Sequence, residues 1–411
     1  MLSKKKIVVL SDHALSTSGV GVQTRHLING LIKKGCWTFK QLGAAIKHSD
    51  YNLKKVNDDF IIKPIDGFGN KEIMRNILIT EKPDAIIIFT DPRFFHWLFE
   101  IEDEIHQVCP IFWWHVWDNR PTPLFNNWMY EATDAINCHS YLTYQMCSEN
   151  FPEKSRFIPH ALPNDIFYEI TDEEKIHFKN KVLSEDKKDY FVAFWANRNA
   201  RRKRPGDLLY SWKLFLDKTK KRDAILIMHT DPFDKEGVNI PKIIKMLDIQ
   251  DNVAISTDKI DFEEMNVMYN ISDITLNISF AEGFGLSTLE SMQTGTPIVS
   301  VTTGGLTRQV IDHRDNSENG VAIKPALKSL VGSQNVPYIY EDYALPEDIA
   351  NGILKMYMLD YEEKKALSKK VKKYVSEEFS YEKTIDLWHD SLTDTIKNWK
   401  ENRSNICLEE F

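Results

Sequence analysis

The sequence predicts an α/β protein in which two domains, each built on a parallel sheet, follow one another along the chain. Its 411 residues suffice for two or three domains of about 150 residues each. Short apolar runs alternate with longer amphipathic stretches, the β-α-β rhythm of a parallel sheet. This alternation is interrupted over residues 159–189 and resumes after them. We therefore place one domain at residues 1–170 and a second at 185–380, with a ligand cleft expected between them.

The first domain is predicted to contain five buried strands and a helix over residues 23–34. The helix is predicted because Leu27, Leu31 and Ile32 recur at helical spacing and Gly35 is a stop signal. Between turn signals, short apolar runs indicate the strands. They lie at residues 6–10, 84–89, 111–115, 135–138 and 157–158.

The second domain repeats this pattern and is followed by a third, helical block. That block begins at Pro346 and is broken near residues 379–380, and its last helix, about 381–411, is predicted to pack back on the first domain. Strands are predicted at residues 190–195, 224–229, 253–255, 274–278, 297–301 and 320–323. Helices are predicted at residues 207–217, 240–247, 262–270, 287–293 and 306–311.

The composition argues against several classes of protein. The longest apolar run, residues 191–196, is far shorter than the about 20 residues of a membrane-spanning helix. Five cysteines without a CxxC pair are typical of reduced, packed thiols, so we expect a cytoplasmic protein. A net charge of −8 argues against attraction of the whole surface to nucleic acid or anionic lipid.

The strongest chemical signal is the segment EGFGLSTLE at residues 282–290, between a predicted strand and a predicted helix. Glycines at such a turn let the backbone approach a ligand closely, and the N–H groups of a helix start favour an anion, typically phosphate. The alternative is structural: Ser287 and Glu290 have the spacing of a capping box, and Glu282 would then be a solvated acid. These nine residues alone leave both interpretations open.

A run of basic residues upstream helps to decide between phosphate binding and a purely structural role. Five of the seven residues 198–204 are basic, and they follow the first predicted strand of the second domain. Basic side chains at a strand's carboxyl end pair well with phosphate, Arg in bidentate fashion and Lys as a point charge. A solvated basic loop is the alternative. The presence of both segments in one domain favours phosphate binding.

Arg198 and Lys203, the EGFGLSTLE segment and the following GTPIVSVTTGG together resemble the nucleotide-sugar-binding domain of family 4 glycosyltransferases, which are retaining enzymes with the GT-B fold. The resemblance runs from about residue 6 to 379 and is strongest over 198–305. It implies two facing Rossmann-like parallel-sheet domains with an interdomain cleft. It also implies a nucleoside-diphosphate sugar as the donor.

The resemblance implies a role for each matching residue. Arg198 and Lys203 would bind the donor diphosphate. Glu290 would bind the ribose hydroxyls, and Glu282 the donor sugar. Backbone groups of the turn would contact sugar hydroxyls, and amides at the helix start would contact the phosphates. The residues concerned are Gly283, Phe284 and Gly285 in the turn, and Leu286 and Ser287 in the helix.

Two features of the first domain extend the resemblance. The segment SGVG resembles the family's glycine-rich loop, so Gly19 and Gly21 are expected to approach the donor, with a plain turn as the alternative. His115 lies where the family carries a histidine at the cleft edge, which implies that its carbonyl or ring positions the sugar. A histidine ending a buried strand is otherwise more typical of a core. The expected catalytic residues are His115, Glu282, Arg198 and Lys203.

The function expected from the resemblance is metal-independent sugar transfer to an acceptor hydroxyl with retention of configuration. No Asp-x-Asp pair is present to hold a metal, so Arg198, Lys203 and a helix end would serve instead, and no cofactor is expected. The alternatives are a sugar-nucleotide epimerase, a phosphorylase or a non-catalytic binding subunit. Glycan, lipid-linked, protein and small-molecule acceptors stay open, as does peripheral membrane contact. The net charge argues against nucleic acid.

Overall fold

The computed structural model describes residues 4–404, which form two compact units. The first unit takes in the described residues of Met1–Ala161 and Tyr381–Phe411 together with Gly332–Pro337, and the second comprises Leu162–Val331 and Tyr338–Ser380. No helix within residues 4–404 combines the length and the apolar character that crossing a membrane requires.

The first unit is built on an eight-stranded sheet with helices packed against it. The strands are β1 (Lys5–Asp12), β2 (Trp37–Ala44), β3 (Lys54–Asn57), β4 (Phe60–Pro64), β5 (Ala85–Thr90), β6 (Ile111–His115), β7 (Ala135–Cys138) and β8 (Ser155–Phe157). The helices are α1 (Gly19–Ile32), α2 (Lys71–Glu81), α3 (His96–Phe99), α4 (Glu102–His106), α5 (Asn127–Glu131) and α6 (Tyr141–Ser148). The strand order is β3-β4-β2-β1-β5-β6-β7-β8, and only the β3–β4 pair is antiparallel.

The apolar runs that predicted strands form the centre of this sheet. In β1, Val8 and Leu10 pack into one hydrophobic cluster, whereas Ile7 and Val9 pack into another. Because successive side chains of a strand point to opposite faces, both faces of the sheet are covered, which is typical of parallel sheets. Four of the five strands predicted for this unit are confirmed, and the fifth, predicted at residues 157–158, is observed two residues earlier as β8.

Strands β2, β3 and β4 were not predicted. All four residues of β3 are exposed. In β2 the polar residue Gln41 is fully buried, and its side-chain amide donates to Ser11 Oγ (2.8 Å) and to the carbonyl of Asp12 (2.7 Å). A buried polar group is stable only when it is hydrogen-bonded, and these partners lie on a neighbouring strand. The local apolar pattern therefore did not reveal β2.

The second unit is built on a six-stranded parallel sheet and a separate hairpin. Its strands are β9 (Phe191–Ala196), β10 (Ala224–His229), β11 (Val253–Ser256), β12 (Ile274–Asn277), β13 (Ile298–Val301), β14 (Gly320–Ile323), β15 (Leu327–Val331) and β16 (Ile339–Tyr343). Its helices are α7 (Asp172–Val182), α8 (Pro205–Thr219), α9 (Ile240–Leu247), α10 (Phe262–Asn270), α11 (Leu286–Gln293), α12 (Thr307–Val310), α13 (Pro346–Tyr357) and α14 (Tyr361–Glu378). The order is β11-β10-β9-β12-β13-β14, all parallel, while β15 and β16 pair antiparallel. The six strands predicted here are confirmed, whereas the hairpin was missed.

The structure shifts two predicted domain boundaries. Residues 162–170 were expected in the first domain but belong to the second unit. The backbone amides of Tyr168 and Ile170 each donate to an asparagine of α10, Asn266 and Asn270, at 3.0 Å. Gly332–Pro337, which joins β15 to β16 within the predicted second domain, groups with the first unit.

The last helix, α15 (Tyr381–Ser404), begins after a break at residues 379–380 and belongs to the first unit. Trp388 is fully buried, with its ring centroid 5.1 Å from that of Trp114. Gly30 of α1 makes room for the helix, since a Cβ there would lie 2.3 Å from Ile385 Cδ1. The end of the predicted helix, residues 405–411, lies outside the described residues and includes Cys407.

Candidate functional site

Two loops leave the second sheet at the same edge. Strands β9 and β12 are parallel neighbours, with Ile274 paired to Ala193. The basic run at residues 198–204 follows β9, and residues 278–285, here called the glutamate loop, follow β12. Because the carboxyl ends of adjacent parallel strands lie side by side, these loops come together, as at the ligand sites of open α/β sheets.

Glu282 and Lys203 form an ion pair where the two loops meet. The Lys203 ammonium contacts Glu282 Oε2, and a guanidinium nitrogen of Arg202 lies 3.1 Å from the same oxygen. Ser279 Oγ donates to it as well, at 3.3 Å. Burial alone would raise the pKa of Glu282, but Arg202 and Lys203 lower it to about 2. The carboxylate, only 8% exposed, therefore stays ionised at neutral pH.

Helix α11 starts immediately after the glutamate loop. Its N-cap is Gly285, whose φ of 94° lies in the left-handed region that favours glycine, and no side chain caps the helix. A Cβ at this position would lie 2.4 Å from Leu306 Cδ2. The capping-box alternative is therefore wrong, because Ser287 lies inside the first turn. A helix start without a side-chain cap is suited to bind an anion through its amides.

Buried side chains hold the glutamate loop in shape. Gln309 is fully buried and donates to the carbonyl of Phe284 at 2.8 Å. Its side-chain oxygen accepts from Thr288 Oγ1 at 2.6 Å. Gly305 N donates to the carbonyl of Glu282 at 2.9 Å, and a Cβ on Gly305 would lie 2.3 Å from Gly283 O. Sequence reasoning missed Gln309, since nothing in its local pattern indicates a distant partner.

Glu290 lies in α11 and is half-buried. Tyr269 Oη donates to Glu290 Oε2 at 2.6 Å. Burial raises the pKa of Glu290 to about 7, although the Tyr269 hydrogen bond opposes this rise. The two glutamates of the segment therefore differ in acidity: the pKa of Glu282 lies well below neutral pH, whereas that of Glu290 lies near it.

Arg198 is the most open cation among the predicted site residues, with 60% of its side chain exposed. Its guanidinium donates to both carboxylate oxygens of Asp234, at 2.6 and 3.1 Å. The hydrogen bond from Arg198 lowers the pKa of Asp234 to about 2. Asn199 fixes the same loop through two bonds to Val238 backbone groups. Sequence reasoning missed Asp234. The pattern that could have indicated it is an acidic turn after β10, which is the neighbour of β9 in the sheet.

Gly19 and Gly21 lie in the first turn of α1, so the predicted helix start at residue 23 is wrong. Ser18 is the N-cap, and its Oγ accepts from Gly21 N at 3.1 Å. That cap extends the helix by one turn toward the strand. A Cβ on Gly21 would lie 2.5 Å from the carbonyl oxygen of His13, so close packing requires glycine here. Donor contact through Gly19 and Gly21 stays a prediction.

His115 ends β6 and is fully buried. Its Nε2 lies 2.7 Å from Tyr130 Oη, and its ring centroid lies 4.5 Å from that of Trp113. Its carbonyl oxygen accepts from His139 Nδ1 at 2.6 Å. These contacts are those of a packed core histidine, the alternative that the buried strand indicates. A role in positioning a sugar stays a prediction.

Residues 174–356 match the family model described as Glycosyl transferases group 1. The matched segment is less than half of the chain and is similar to group 1 glycosyl transferases. The matched segment holds the basic run, the glutamate loop and α11, and thus every site residue predicted in the second unit. Within residues 4–404, no three His, Cys, Asp or Glu side chains are grouped as metal ligands would be.

Known proteins resemble part of the chain in sequence and nearly all of it in structure. Trehalose synthase from Pyrococcus horikoshii is 30% identical over 104 residues, 25% of this chain and 23% of that protein. The curated matches each span less than a third of the relative. Sucrose-phosphate synthase from Thermosynechococcus elongatus has a TM-score of 0.73 at 15% identity, covering 96% of this chain and 100% of that one. Anabaena Alr3699/HepE in complex with UDP and glucose has a TM-score of 0.67 at 13% identity, covering 95% and 100%. At these identities the likeness shows the fold alone, which is the predicted GT-B fold.

Proposed function

We propose that the protein is a retaining glycosyltransferase that moves a sugar from a nucleoside-diphosphate sugar to an acceptor hydroxyl without a metal. The observation that carries this proposal is the Lys203–Glu282 ion pair beside the uncapped start of α11. It puts a buried carboxylate, which suits sugar hydroxyls, next to a cation and amides that suit a diphosphate. The complex of the structurally similar HepE with UDP and glucose supports the same class of donor.

The donor would lie along the glutamate loop. Lys203 and the exposed guanidinium of Arg198 would bind its diphosphate, together with the amides of Leu286 and Ser287. Glu282 and the backbone of residues 283–285 would bind sugar hydroxyls. Glu290, already hydrogen-bonded to one hydroxyl, would bind those of the ribose.

The charges of the site favour a step in which the leaving group takes the proton. The anomeric carbon–phosphate oxygen bond breaks through an oxocarbenium-like state, and a bond to the acceptor oxygen forms on the same face. Lys203, Arg198 and the helix amides stabilise the negative charge on the departing diphosphate. A carboxylate with a pKa of about 2, as in Glu282, is a weak base. In this proposal the acceptor proton goes instead to the leaving phosphate oxygen, on which negative charge grows as the bond breaks.

Product stereochemistry tests this proposal. The protein is incubated with glucose esters of uridine, guanosine and adenosine diphosphate and a panel of acceptors, and the product is followed by NMR. We expect the anomeric configuration of the donor to be kept, and the rate to be unchanged by a chelator. An inverted product, or loss of activity with the chelator, would contradict the proposal. Epimerised sugar nucleotide formed without an acceptor would point to an epimerase, and no nucleotide binding at all would argue against sugar transfer.

The raised pKa of Glu290 predicts that donor affinity depends on pH. Only the ionised carboxylate accepts hydrogen bonds at both oxygens, so donor binding should weaken as pH falls from about 8 to 6, through the pKa of about 7. Titrations should use a nucleotide sugar, whose esterified phosphates do not ionise in this range. Glu290→Gln should bind more weakly and show a flat profile. A slope that persists in Glu290→Gln would assign the titration to another group.

A further inference from the structure

The β15–β16 hairpin makes contacts that the proposed function leaves unexplained. Glu341, on β16, is 6% exposed and accepts from both terminal nitrogens of the Arg201 guanidinium, at 3.0 and 3.1 Å. The same guanidinium donates to Tyr343 Oη at 3.2 Å, and Tyr343 in turn donates to Glu341. A bidentate pair of this kind fixes orientation as well as distance. The hairpin therefore holds Arg201 in one geometry.

Arg201 begins the short turn that carries the donor-site lysine. Arg201–Lys203 is a 3-10 turn, and we call residues 201–204 the basic turn. It closes at Arg204, whose φ of 53° is left-handed and whose guanidinium lies 4.9 Å from the centre of the Tyr343 ring. The first and last residues of the basic turn thus contact β16, while Lys203 between them contacts Glu282. Movement of either end would displace the lysine.

Strand β16 also holds the glutamate loop directly. Asp342 N donates to the carbonyl of Phe280 at 2.7 Å, and Thr303 Oγ1 donates to Asp342 Oδ2 at 2.8 Å. Phe280 N donates to the carbonyl of Arg202 at 3.2 Å. These bonds close a ring of contacts that runs from the hairpin to the basic turn, from the turn to the glutamate loop, and back to the hairpin.

We propose that Glu341 is a positioning residue of the donor site, acting through Arg201 to set where Lys203 meets the donor diphosphate. The inference rests on the proposed function, in which Lys203 binds that diphosphate. A displacement of about 1 Å in a binding group can cost about 100-fold in rate. Donor affinity would then depend on the β15–β16 hairpin. The Glu341 carboxylate of this hairpin contacts the basic turn and need not touch the donor.

The variant Glu341→Gln tests the proposal, because a charge effect and a positioning role predict opposite changes in nucleotide affinity. Glutamine keeps the shape but removes a negative charge near the diphosphate site, so a residue acting only through its charge would make nucleotide binding tighter. A positioning residue makes it weaker, and we expect the Kd to rise about tenfold. The probe is whichever of UDP, GDP and ADP the wild-type chain binds, in calorimetric titrations. Acceptor KM should stay within about twofold, and the number of nucleotide sites per chain should match the wild type, whereas partial misfolding would lower that number.

Matched variants complete the design. Leu330→Ser changes an exposed residue of the same hairpin and should leave the Kd unchanged. Tyr343→Phe removes the hydroxyl that accepts from Arg201 and should also raise the Kd for the nucleotide. This second variant tests the proposal if Glu341→Gln folds poorly. In a Lys203→Ala background, Glu341→Gln should add less than about twofold, since it acts through that lysine.

The outcomes separate the two proposals. A wild-type chain that binds none of the three nucleotides overturns the proposed function and, with it, this inference. Normal or tighter nucleotide binding by Glu341→Gln overturns the inference alone. So does an equal loss of affinity with and without Lys203, because Glu341 would then act independently of the lysine.

Discussion

Replacing Lys203 by alanine should lower kcat/KM for the nucleotide sugar by at least about 2 kcal/mol, or about 30-fold. Two losses combine. The donor diphosphate loses a charged partner, and Glu282, 8% exposed, loses one of its two cations. Steady-state rates measured over a range of donor concentrations, at saturating acceptor, give the ratio directly. Arg198→Ala, at the other diphosphate contact, should also cost about 2 kcal/mol or more.

Lys213 provides the control for this experiment. It lies on α8, pairs with Asp217 of the same helix, and its side chain is 24% exposed. Lys213→Ala removes the same charge from the same unit without touching the two loops, so kcat/KM should stay near the wild-type value. Turnover by both Lys203→Ala and Arg198→Ala at the wild-type rate would rule out the diphosphate assignment.

Trp388→Ala should lower the free energy of unfolding of the first unit by about 3–5 kcal/mol, the cost of truncating a large buried aromatic side chain. Trp388 is fully buried on α15 in the cluster that also contains Trp114 and Leu27. Because two units can unfold separately, the transition of the first unit should be followed by a probe within it during urea unfolding.

The neighbouring residue on the same helix separates packing from helix propensity. Leu387 is 43% exposed, so Leu387→Ala should change the free energy of unfolding by no more than about 0.5 kcal/mol. Equal effects of Trp388→Ala and Leu387→Ala would mean that α15 does not contribute its buried face to the core of the first unit.

Much of the sheet architecture could be predicted because local apolar runs in the sequence indicate the buried strands. All six strands of the second parallel sheet were predicted within one or two residues of their observed ends. Of the strands that were not predicted, β3 is exposed, whereas β2, β4 and the hairpin strand β16 contain buried residues. The side-chain amide of Gln41 in β2 donates hydrogen bonds to Ser11 and Asp12. The buried carboxylate of Glu341 in the hairpin accepts a hydrogen bond from Arg201. A buried polar side chain breaks the alternation that identifies strands, and only its partner explains it.

The sequence by itself determined the two-domain α/β class, the glycine-rich turn between the two glutamates and the basic run after a strand, because each is a local pattern. Tertiary structure alone decided which charges meet. Lys203 and Glu282 are 79 residues apart, and Arg201 and Glu341 are 140 apart. Parallel neighbouring strands bring Lys203 and Glu282 together, and the β15–β16 hairpin brings Glu341 to Arg201. Burial raises the pKa of Glu290 to about 7, whereas Arg202 and Lys203 lower that of Glu282 to about 2. No periodicity in the chain encodes that difference, since the pKa of a carboxyl depends on desolvation and on the charges packed against it.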